Sequence, residues 1–323
     1  MNSAIAIHTF AGGFAMGMAK HLVCKMQVDV NGDDMTPPRK SEHKTALQDA
    51  RINHPWPVLA LDKEKIRTFK HNADVVFSNP PCAIWSNMNT KSKHWKDDGR
   101  LRMIDDPIES GLENESRAII IESVLRSWTA GRNFWVDRAR MLNEHGYGVY
   151  IWLHNTKYMG GLQNRVRFMF IATKLKLNFP PVSTKHITIG EELENLKNLE
   201  PGISYEPKAM NDDIRKFWLD AKPGRLKEQV PGWLEHKPSF AARKLCLGKP
   251  APTMVNQYVV HPTEARCLSL NEFRHIIGFP DSWQPSRKQE RSCDVIAGLL
   301  PMTRGVSPRT GEHLGSIMAN AME

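Results

Sequence analysis

The sequence lacks the features that mark membrane-spanning, secreted and repetitive proteins. No apolar run approaches the roughly 18 residues that a membrane-spanning helix requires. The start of the chain does not combine a basic region with a full apolar core, which argues against a secretory signal peptide. Internal repeats and low-complexity segments are absent. We therefore expect a cytoplasmic protein with no membrane partner.

Cysteine is also scarce. The five cysteines are Cys24, Cys82, Cys246, Cys267 and Cys293. Their odd number, wide spacing and lack of a Cys-x-x-Cys pair predict a reducing compartment, no disulfide framework and no metal site.

The remaining composition is that of a globular protein with a basic surface. Its 323 residues are 41% hydrophobic and 24% charged, which suits one large domain and a smaller one. The formal net charge of +9 fits a polyanionic partner such as nucleic acid, although a merely basic surface would give the same value. We expect the protein to act as a monomer.

Strand-like and helix-like segments alternate through the first 174 residues. The predicted strands are Ile5–Phe10, Cys24–Val30, Pro57–Asp62, Val75–Phe77, Arg117–Val124, Gly148–Leu153 and Val166–Thr173, and the predicted helices are a segment ending near Val23, Thr45–Asn53 and Asn133–His145. Residues 31–44 are expected to be a loop, and residues 87–116 a mobile loop over the site. The alternation predicts an α/β fold with a doubly wound, mostly parallel, Rossmann-like sheet.

The alternation of strand-like and helix-like segments ends after residue 174. Beyond it, Pro-Gly and Pro-Pro pairs separate short segments with no regular periodicity. We expect a catalytic domain over residues 1–174, completed by 290–323, and a second, smaller, loop-rich domain over 175–289. The end of the chain, Val295–Met322, is predicted to be a long helix interrupted by Pro301 and Pro308.

The stretch Asp74–Ser86 presents a thiol at the end of a predicted strand. Its apolar residues are followed by Asn79-Pro80-Pro81, which stops the strand and stiffens the backbone, and then by Cys82. Carboxyl ends of strands in open α/β sheets are where ligands bind. Cys82 is therefore a candidate nucleophile, the alternative being one more small buried apolar residue.

This stretch resembles the nucleophile motif of the DNA (cytosine-5)-methyltransferase family, Pro-Cys-x-x-Phe-Ser. Trp85 stands in the Phe place, and Ala83 replaces the Gln that usually follows the cysteine. The resemblance implies a target-recognition role for the second domain. It also implies that Ser86 and Gln163 contact the substrate.

The glycine turn after the first predicted strand is similar to the family's cofactor loop, Phe-x-Gly-x-Gly, in a shortened form. The resemblance implies that glycine lets the backbone approach the methionine end of S-adenosylmethionine. It further implies that Asp29 holds the ribose hydroxyls and that Asp62 accepts from the adenine amino group; a surface carboxylate near a turn is the alternative for Asp29. The residues implied at the cofactor are Phe10, Gly12, Gly13, Phe14, Asp29, Asp62, Pro80, Arg304 and Val306.

Two further stretches carry the remaining catalytic groups of the family. Ile121-Glu122-Ser123-Val124 is similar to Glu-Asn-Val. Burial of a glutamate at the end of an apolar strand costs free energy, so Glu122 is expected to have a compensating partner or a catalytic role. Gln163-Asn164-Arg165-Val166-Arg167 is similar to Gln-x-Arg-x-Arg. Because alternate positions of a strand share a face, Gln163, Arg165 and Arg167 are expected to point together. An ion-paired strand end and a solvated edge strand are the structural alternatives.

Two late stretches complete the resemblance. Arg266–Trp283 resembles a segment of the family that docks the target-recognition domain, and Ser269 with Glu272 predicts a capping box at a helix start. Met302–Val306 stands where the family has Gly-Asn-x-Val beside the cofactor, with Thr303 and Arg304 in the Gly and Asn places.

The resemblance implies covalent catalysis on a cytosine flipped out of double-stranded DNA. Cys82 would attack carbon 6, Glu122 would bond to N3, Arg165 would hold the base carbonyl, and Arg167 would orient the carboxylates or the backbone. Methyl would be transferred from S-adenosylmethionine to carbon 5.

Three alternatives remain open at this point. Arg304 suits a donor that carries a carboxylate on the transferred carbon, carboxy-S-adenosylmethionine, and the product would then be 5-carboxymethylcytosine; alternatively Arg304 faces solvent or binds DNA phosphate. The catalytic set would also serve an RNA cytosine-5 methyltransferase. Ser123, Thr303 and Arg304 would fit an inactive DNA-binding relative.

Overall fold

The structure is a computed structural model. It describes residues 2–9, 12–31, 39–85, 99–180, 183, 185–197, 219–225, 229, 243–254, 259–286, 302–303 and 305–323. The chain divides into two compact units, and the first contains Met1–Asn155, Val166–Val182 and Gly305–Glu323. The second contains Thr156–Arg165 and Ser183–Arg304. A target-recognition role for residues 175–289 stays a prediction.

A seven-stranded sheet forms the centre of the first unit. Its strands are β1 Ser3–Ile7, β2 Val23–Val30, β3 Val58–Leu61, β4 Val75–Ser78, β5 Ala118–Val124, β6 Gly148–Asn155 and β8 Val166–Thr173, where β7 is a short strand of the second unit. Their order is β3-β2-β1-β4-β5-β8-β6. Only β8 runs antiparallel to its neighbours β5 and β6. The predicted mostly parallel α/β sheet is therefore confirmed.

Helices cover both faces of this sheet. They are α1 Gly13–Met18, α2 Arg39–Asn53, α3 Lys63–Arg67, α4 Arg102–Glu113, α5 Leu125–Glu144 and, at the end of the chain, α8 Pro308–Met322. A Cβ atom on Gly311 of α8 would lie 2.3 Å from the backbone oxygen of Phe14 in α1. Glycine thus lets α8 pack directly against α1, which starts at the glycine turn.

Three predictions about the positions of helices were wrong. Helix α4 lies in the expected loop 87–116, because Met103, Ile104 and Ile108 form a buried helical face that Pro107 and the surrounding charges obscure in the sequence. Helix α2 begins at Arg39 inside the expected loop 31–44, and α5 begins at Leu125 rather than Asn133.

At the end of the chain a helix begins at Pro308, one of the two prolines predicted to interrupt the helical stretch Val295–Met322. Ser307 caps it and proline occupies its first turn, where the missing N–H costs nothing. Residues 295–301 lie outside the described part of the chain.

Short elements make up the described part of the second unit. They are β7 Gln163–Asn164, α6 Leu193–Lys197, β9 Gly224–Arg225, β10 Arg243–Lys244, β11 Ala251–Pro252, β12 Val259–Val260 and α7 Leu270–Ile277. Strand β7 pairs with β11, and β10 lies between β12 and β9. The predicted capping box at Ser269 and Glu272 is present, and Arg266 holds Glu272 through two hydrogen bonds of 2.8 Å. None of the helices in the described ranges is long and apolar enough to cross a membrane.

Candidate active site

Cys82 lies immediately beyond the carboxyl end of β4. The strand ends at Ser78, the Pro80-Pro81 pair follows, and Cys82–Ile84 form a single 3-10 turn closed by a hydrogen bond of 3.0 Å from the Trp85 N–H to the Cys82 carbonyl. Cys82 is partly exposed. The turn therefore places Cys82 at the carboxyl edge of the sheet, the edge at which open α/β folds bind their ligands. Its role as a nucleophile stays a prediction.

Trp85 anchors this turn to helix α5. Its indole is buried and lies edge-on to Phe134, with a ring-centroid distance of 6.0 Å. A Cβ atom on Gly131 would lie only 2.4 Å from the indole, and Gly131 has non-helical backbone angles that kink α5. The larger aromatic ring in the Phe place of the motif is accommodated because α5 carries a glycine kink opposite it.

Glu122 is held in the neighbouring strand β5. Its buried carboxylate accepts a hydrogen bond from the side-chain amide of Asn79, in the stretch that leads to Cys82. The Arg167 Nε lies 2.9 Å from Glu122 Oε1, and the Arg167 side chain is 12% exposed. A buried carboxylate is tolerated where hydrogen bonds and a cation compensate its lost hydration. Asn79, Glu122 and Arg167 are thereby brought together within the first unit. They lie beside the turn at residues 80–85, which carries the predicted nucleophile Cys82 and is called the nucleophile turn below.

Asn79 is a site residue that sequence reasoning missed. The sequence marks it only as the residue before a proline pair, where it explains the end of a strand. Its partner is 43 positions away in the chain. Only the pairing of β4 with β5 brings the two side chains together, with Ser78 opposite Ile121.

Gln163, Arg165 and Arg167 do not lie on one strand, contrary to the prediction. Gln163 is in β7 and pairs with β11, Arg165 lies between β7 and β8, and Arg167 belongs to β8. Gln163 and Arg165 are buried in the second unit. The Arg165 Nη1 donates to the carbonyl of Thr303 at 3.2 Å. The rule that alternate residues of a strand share a face does not apply, because β7 and β8 belong to different sheets and Arg165 lies between them.

The glycine turn lies at the carboxyl end of β1. Gly12 has a φ of 76°, in the left-handed region that glycine adopts without strain, and its N–H donates to the Thr9 carbonyl at 2.9 Å. Phe14 points into the core and lies edge-on to Phe77 at 5.2 Å. Val306 is buried in the same core. Phe10, Ser86 and Arg304 lie outside the described residues.

The two predicted cofactor acids differ in exposure. Asp29, at the end of β2, is buried, and its Oδ1 accepts from the Val30 N–H at 2.9 Å. Asp62 follows β3 and precedes α3; its side chain is 52% exposed and forms an ion pair of 2.7 Å with Lys65. Their roles toward a ligand stay predictions.

These positions fit an adenosyl cofactor. The ends of β1, β2 and β3, which are adjacent and parallel, carry the glycine turn, Asp29 and Asp62. Backbone close approach suits the amino-acid end of such a molecule, and carboxylates suit hydroxyl and amino donors. Pro80, also predicted at the cofactor, is buried at the end of the next parallel strand, β4.

His8 is a second residue that sequence reasoning missed. It directly follows β1, it is buried, and its φ of 56° is unusual for a residue with a side chain. Its Nδ1 lies 3.1 Å from Asp29 Oδ1 and its Nε2 lies 2.9 Å from Asp106 Oδ2. Burial lowers its pKa, but the hydrogen bonds to Asp106 and Asp29 outweigh that effect and raise the pKa to about 9.

His54 contacts the glycine turn from another side. A Cβ atom on Gly12 would lie 1.8 Å from its Nε2, and its ring stacks on Trp56 with a centroid distance of 4.6 Å. Burial lowers the pKa of His54 to about 4, so the ring is neutral at physiological pH.

Comparison with known proteins identifies relatives over most of the chain. The sequence pattern of a family described as C-5 cytosine-specific DNA methylase matches residues 43–298. No curated protein sequence matches the chain.

Three solved structures share its fold. One, assigned as a DNA modification methyltransferase encoded within an E. coli prophage, has a TM-score of 0.74 at 16% identity and covers 100% of this chain and 99% of its own. The Entamoeba histolytica methyltransferase EhMeth has a TM-score of 0.61 at 14% identity, with 100% and 99% covered. The S. pombe Dnmt2 methyltransferase has a TM-score of 0.58 at 11% identity, with 100% of both chains covered.

Proposed function

Because the chain belongs to the C-5 cytosine-specific DNA methylase family, we propose that it methylates carbon 5 of a cytosine flipped out of duplex DNA, with Cys82 as the nucleophile. The observation that carries the proposal is the grouping around the nucleophile turn. Asn79 and Arg167 both hold Glu122, and Asn79 is three residues before Cys82. A thiol and an oriented carboxyl group are the two side chains that this reaction needs.

Cys82 would form the covalent bond. Carbon 5 of cytosine is a weak nucleophile, and addition of a thiolate to carbon 6 turns the ring into an electron-rich enamine. The Pro-Pro turn holds the thiol at the sheet edge, and the Trp85 anchor restrains the other side of the turn. After alkylation, loss of the carbon 5 proton would expel the Cys82 thiolate.

Glu122 would act at N3 of the base. A proton held on its carboxyl group would neutralise the charge that builds on the ring as the thiolate adds. Arg167 and Asn79 would keep the carboxyl plane oriented before the base arrives. Arg165 would hold the base carbonyl, as the resemblance implies, from a position where its own Nη1 is fixed by the Thr303 carbonyl.

The glycine turn, Asp29 and Asp62 would hold S-adenosylmethionine, together with Pro80. Bound there, this cofactor would supply an electrophilic methyl group on a sulfonium. The basic composition, with a net charge of +9, would favour the DNA phosphates.

Mass spectrometry and covalent trapping test this function. Duplex DNA incubated with the protein and S-adenosylmethionine should acquire 5-methylcytosine, and 5-fluorocytosine DNA should become covalently bound. Cys82→Ser should abolish both, whereas the matched control Cys246→Ser should retain both. Trapping on RNA but not on DNA would reassign the substrate, and full activity of Cys82→Ser would exclude the mechanism.

One observation favours examining a second donor. The Thr303 carbonyl accepts from Arg165, so the residue before Arg304 lies against an arginine of the predicted catalytic set. Arg304 could then pair with a carboxylate on the transferred carbon of carboxy-S-adenosylmethionine. Incubation with each cofactor should give 5-carboxymethylcytosine only with the carboxylated donor. If only the methyl donor reacts, and Arg304→Asn leaves that rate unchanged, the carboxymethyl function is excluded.

A further inference from the structure

His8 links the ends of two strands to a helix. It lies at the end of β1, where its backbone N–H donates to Val28 of β2 at 2.9 Å. Its ring is held on one side by Asp29 of β2 and on the other by Asp106 of α4. The side chains of all three residues are at most 4% exposed. The link therefore crosses the interior of the first unit immediately before the glycine turn.

Geometry identifies the charge state of the ring. Carboxylate oxygens only accept hydrogen bonds, and each ring nitrogen of His8 lies within hydrogen-bonding distance of one of them. Only the doubly protonated imidazolium donates from both nitrogens at once. The raised pKa agrees with this state.

A protonated His8 offsets the negative charge of the carboxylates that face it. Among the described residues, the groups that face the ring directly are Asp29 and Asp106. Behind them, Arg67 of α3 donates from Nε to Asp106 Oδ1 at 2.8 Å and lies 3.1 Å from Glu109, which is partly exposed. Protonated His8 and Arg67 thus place two positive charges beside the two buried carboxylates, and a neutral His8 would remove one of them.

The backbone φ of His8, 56°, also indicates that the position is constrained. A left-handed φ at a residue with a side chain persists only where its surroundings impose it, and such residues cluster at functional sites. The two carboxylates clamp the ring beside Thr9, whose carbonyl accepts a hydrogen bond of 2.9 Å from the Gly12 N–H. Gly12 is therefore connected to the clamp through Thr9.

We propose that His8 is a positioning residue for the cofactor: as an imidazolium bridging Asp29 and Asp106, it orients both the glycine turn and the Asp29 carboxylate toward an adenosyl ligand. This inference rests on the proposed function, since it takes those two groups as the cofactor site. It adds a residue and a protonation state that the resemblance does not contain. Binding of the adenosyl group should require the charged ring.

Calorimetric titration with S-adenosylhomocysteine between pH 7 and pH 10 tests the proposal without any reaction. The proteins to compare are the wild type, His8→Gln, Asp106→Asn and the exposed-histidine control His145→Gln. Wild type and control should bind equally, and both should weaken above a pH of about 9. His8→Gln should bind at least about tenfold more weakly at pH 7.5.

Asp106→Asn tests the protonation state itself, because a merely structural role of His8 would not change the pH at which affinity falls. Removing one of the two anions lowers the pKa of the ring, so the pH at which affinity falls should move down relative to wild type. The ligand's own amino group titrates identically with every protein and cancels in this comparison. An unchanged midpoint, or wild-type affinity in His8→Gln, would overturn the proposal. If the wild type binds no S-adenosylhomocysteine at any pH, the proposed function itself fails, and this inference fails with it.

Discussion

Arg167 Nε lies 2.9 Å from Glu122 Oε1, which joins strands β8 and β5 by a shielded ion pair next to the nucleophile turn. The two residues are 45 positions apart, and antiparallel pairing of the strands brings them together. Asn79 donates to the same carboxylate. Glu122 is therefore expected to contribute both to the free energy of unfolding and to the proposed reaction. Substitutions can separate these two contributions.

Removing the cation should destabilise the protein. Arg167→Met would leave Glu122 buried without its cation, and we expect a loss of about 3 kcal/mol in the free energy of unfolding. The double variant Arg167→Met/Glu122→Gln should be more stable than Arg167→Met alone, because no buried charge remains. Urea unfolding measures both. Arg140→Met, which removes an exposed ion pair with Asp137 at 3.4 Å, should cost less than about 1 kcal/mol; an equal cost would contradict the expectation.

Neutralising the carboxyl group should slow methyl transfer. Glu122→Gln keeps a hydrogen-bonding side chain of the same size, but it cannot hold the proton that N3 requires. We expect the rate of methyl transfer to fall by a factor of about 100 or more, with affinity for DNA retained. Single-turnover rates and filter binding separate the two quantities. A rate close to that of wild type would remove Glu122 from the mechanism.

Filling the kink in α5 should displace the nucleophile turn. Alanine normally stabilises a helix relative to glycine, but a Cβ atom on Gly131 would lie 2.4 Å from the Trp85 indole. Gly131→Ala should therefore destabilise the protein by about 1–3 kcal/mol. Adding Trp85→Phe should recover part of that loss, because the smaller ring frees the space. Gly148→Ala, where the nearest neighbour is 3.6 Å away, is the matched control in thermal unfolding.

Alkaline pH should weaken the fold through His8. Its folded-state pKa, about 9, exceeds its ordinary value of 6.5, so its stabilising contribution is complete below pH 6.5 and is lost as pH rises through about 9. The shift corresponds to roughly 3 kcal/mol. Urea unfolding at pH 6, 8 and 10 should show this decline in wild type and a smaller one in His8→Gln. Parallel curves for the two proteins would contradict a protonated His8.

Acidic pH should weaken the fold through His54, because its pKa is lowered in the folded state rather than raised. Its folded-state pKa, about 4, lies below the ordinary 6.5, so the neutral buried ring stabilises the fold above pH 6.5, and that contribution falls as pH drops toward 4. His54→Gln should reduce the difference in unfolding free energy between pH 7 and pH 4.5. His145→Gln, at an exposed histidine, is the matched control. An unaltered difference in His54→Gln would show that the ring is not held neutral.

Local patterns in the sequence were sufficient for the sheet and for the position of Cys82 after β4. Strands such as Val75–Ser78 and Ala118–Val124 are short apolar runs that end at proline or at a carboxylate. The capping box at Ser269 is equally local, since both partners lie within one helical turn. Such strands and helix caps can be predicted because the residues that determine them are close together in the sequence.

Helix α4 shows where such patterns fail. Its apolar face is interrupted by charges and by Pro107, and one of those charges, Asp106, is buried. Nothing near Asp106 in the chain signals that it is paired. Its partners His8 and Arg67 are 98 and 39 positions away.

The sequence alone determined the succession of strands and turns, and with it the thiol on a stiff turn and the acid at the end of a buried strand. Tertiary structure decided which charges meet: Asn79 and Arg167 at Glu122, and Asp29 and Asp106 at His8. The physical reason is that periodicity and turn chemistry depend on adjacent residues, whereas the hydration lost by a buried charge is compensated by whichever groups the sheet and its helices bring within about 3 Å.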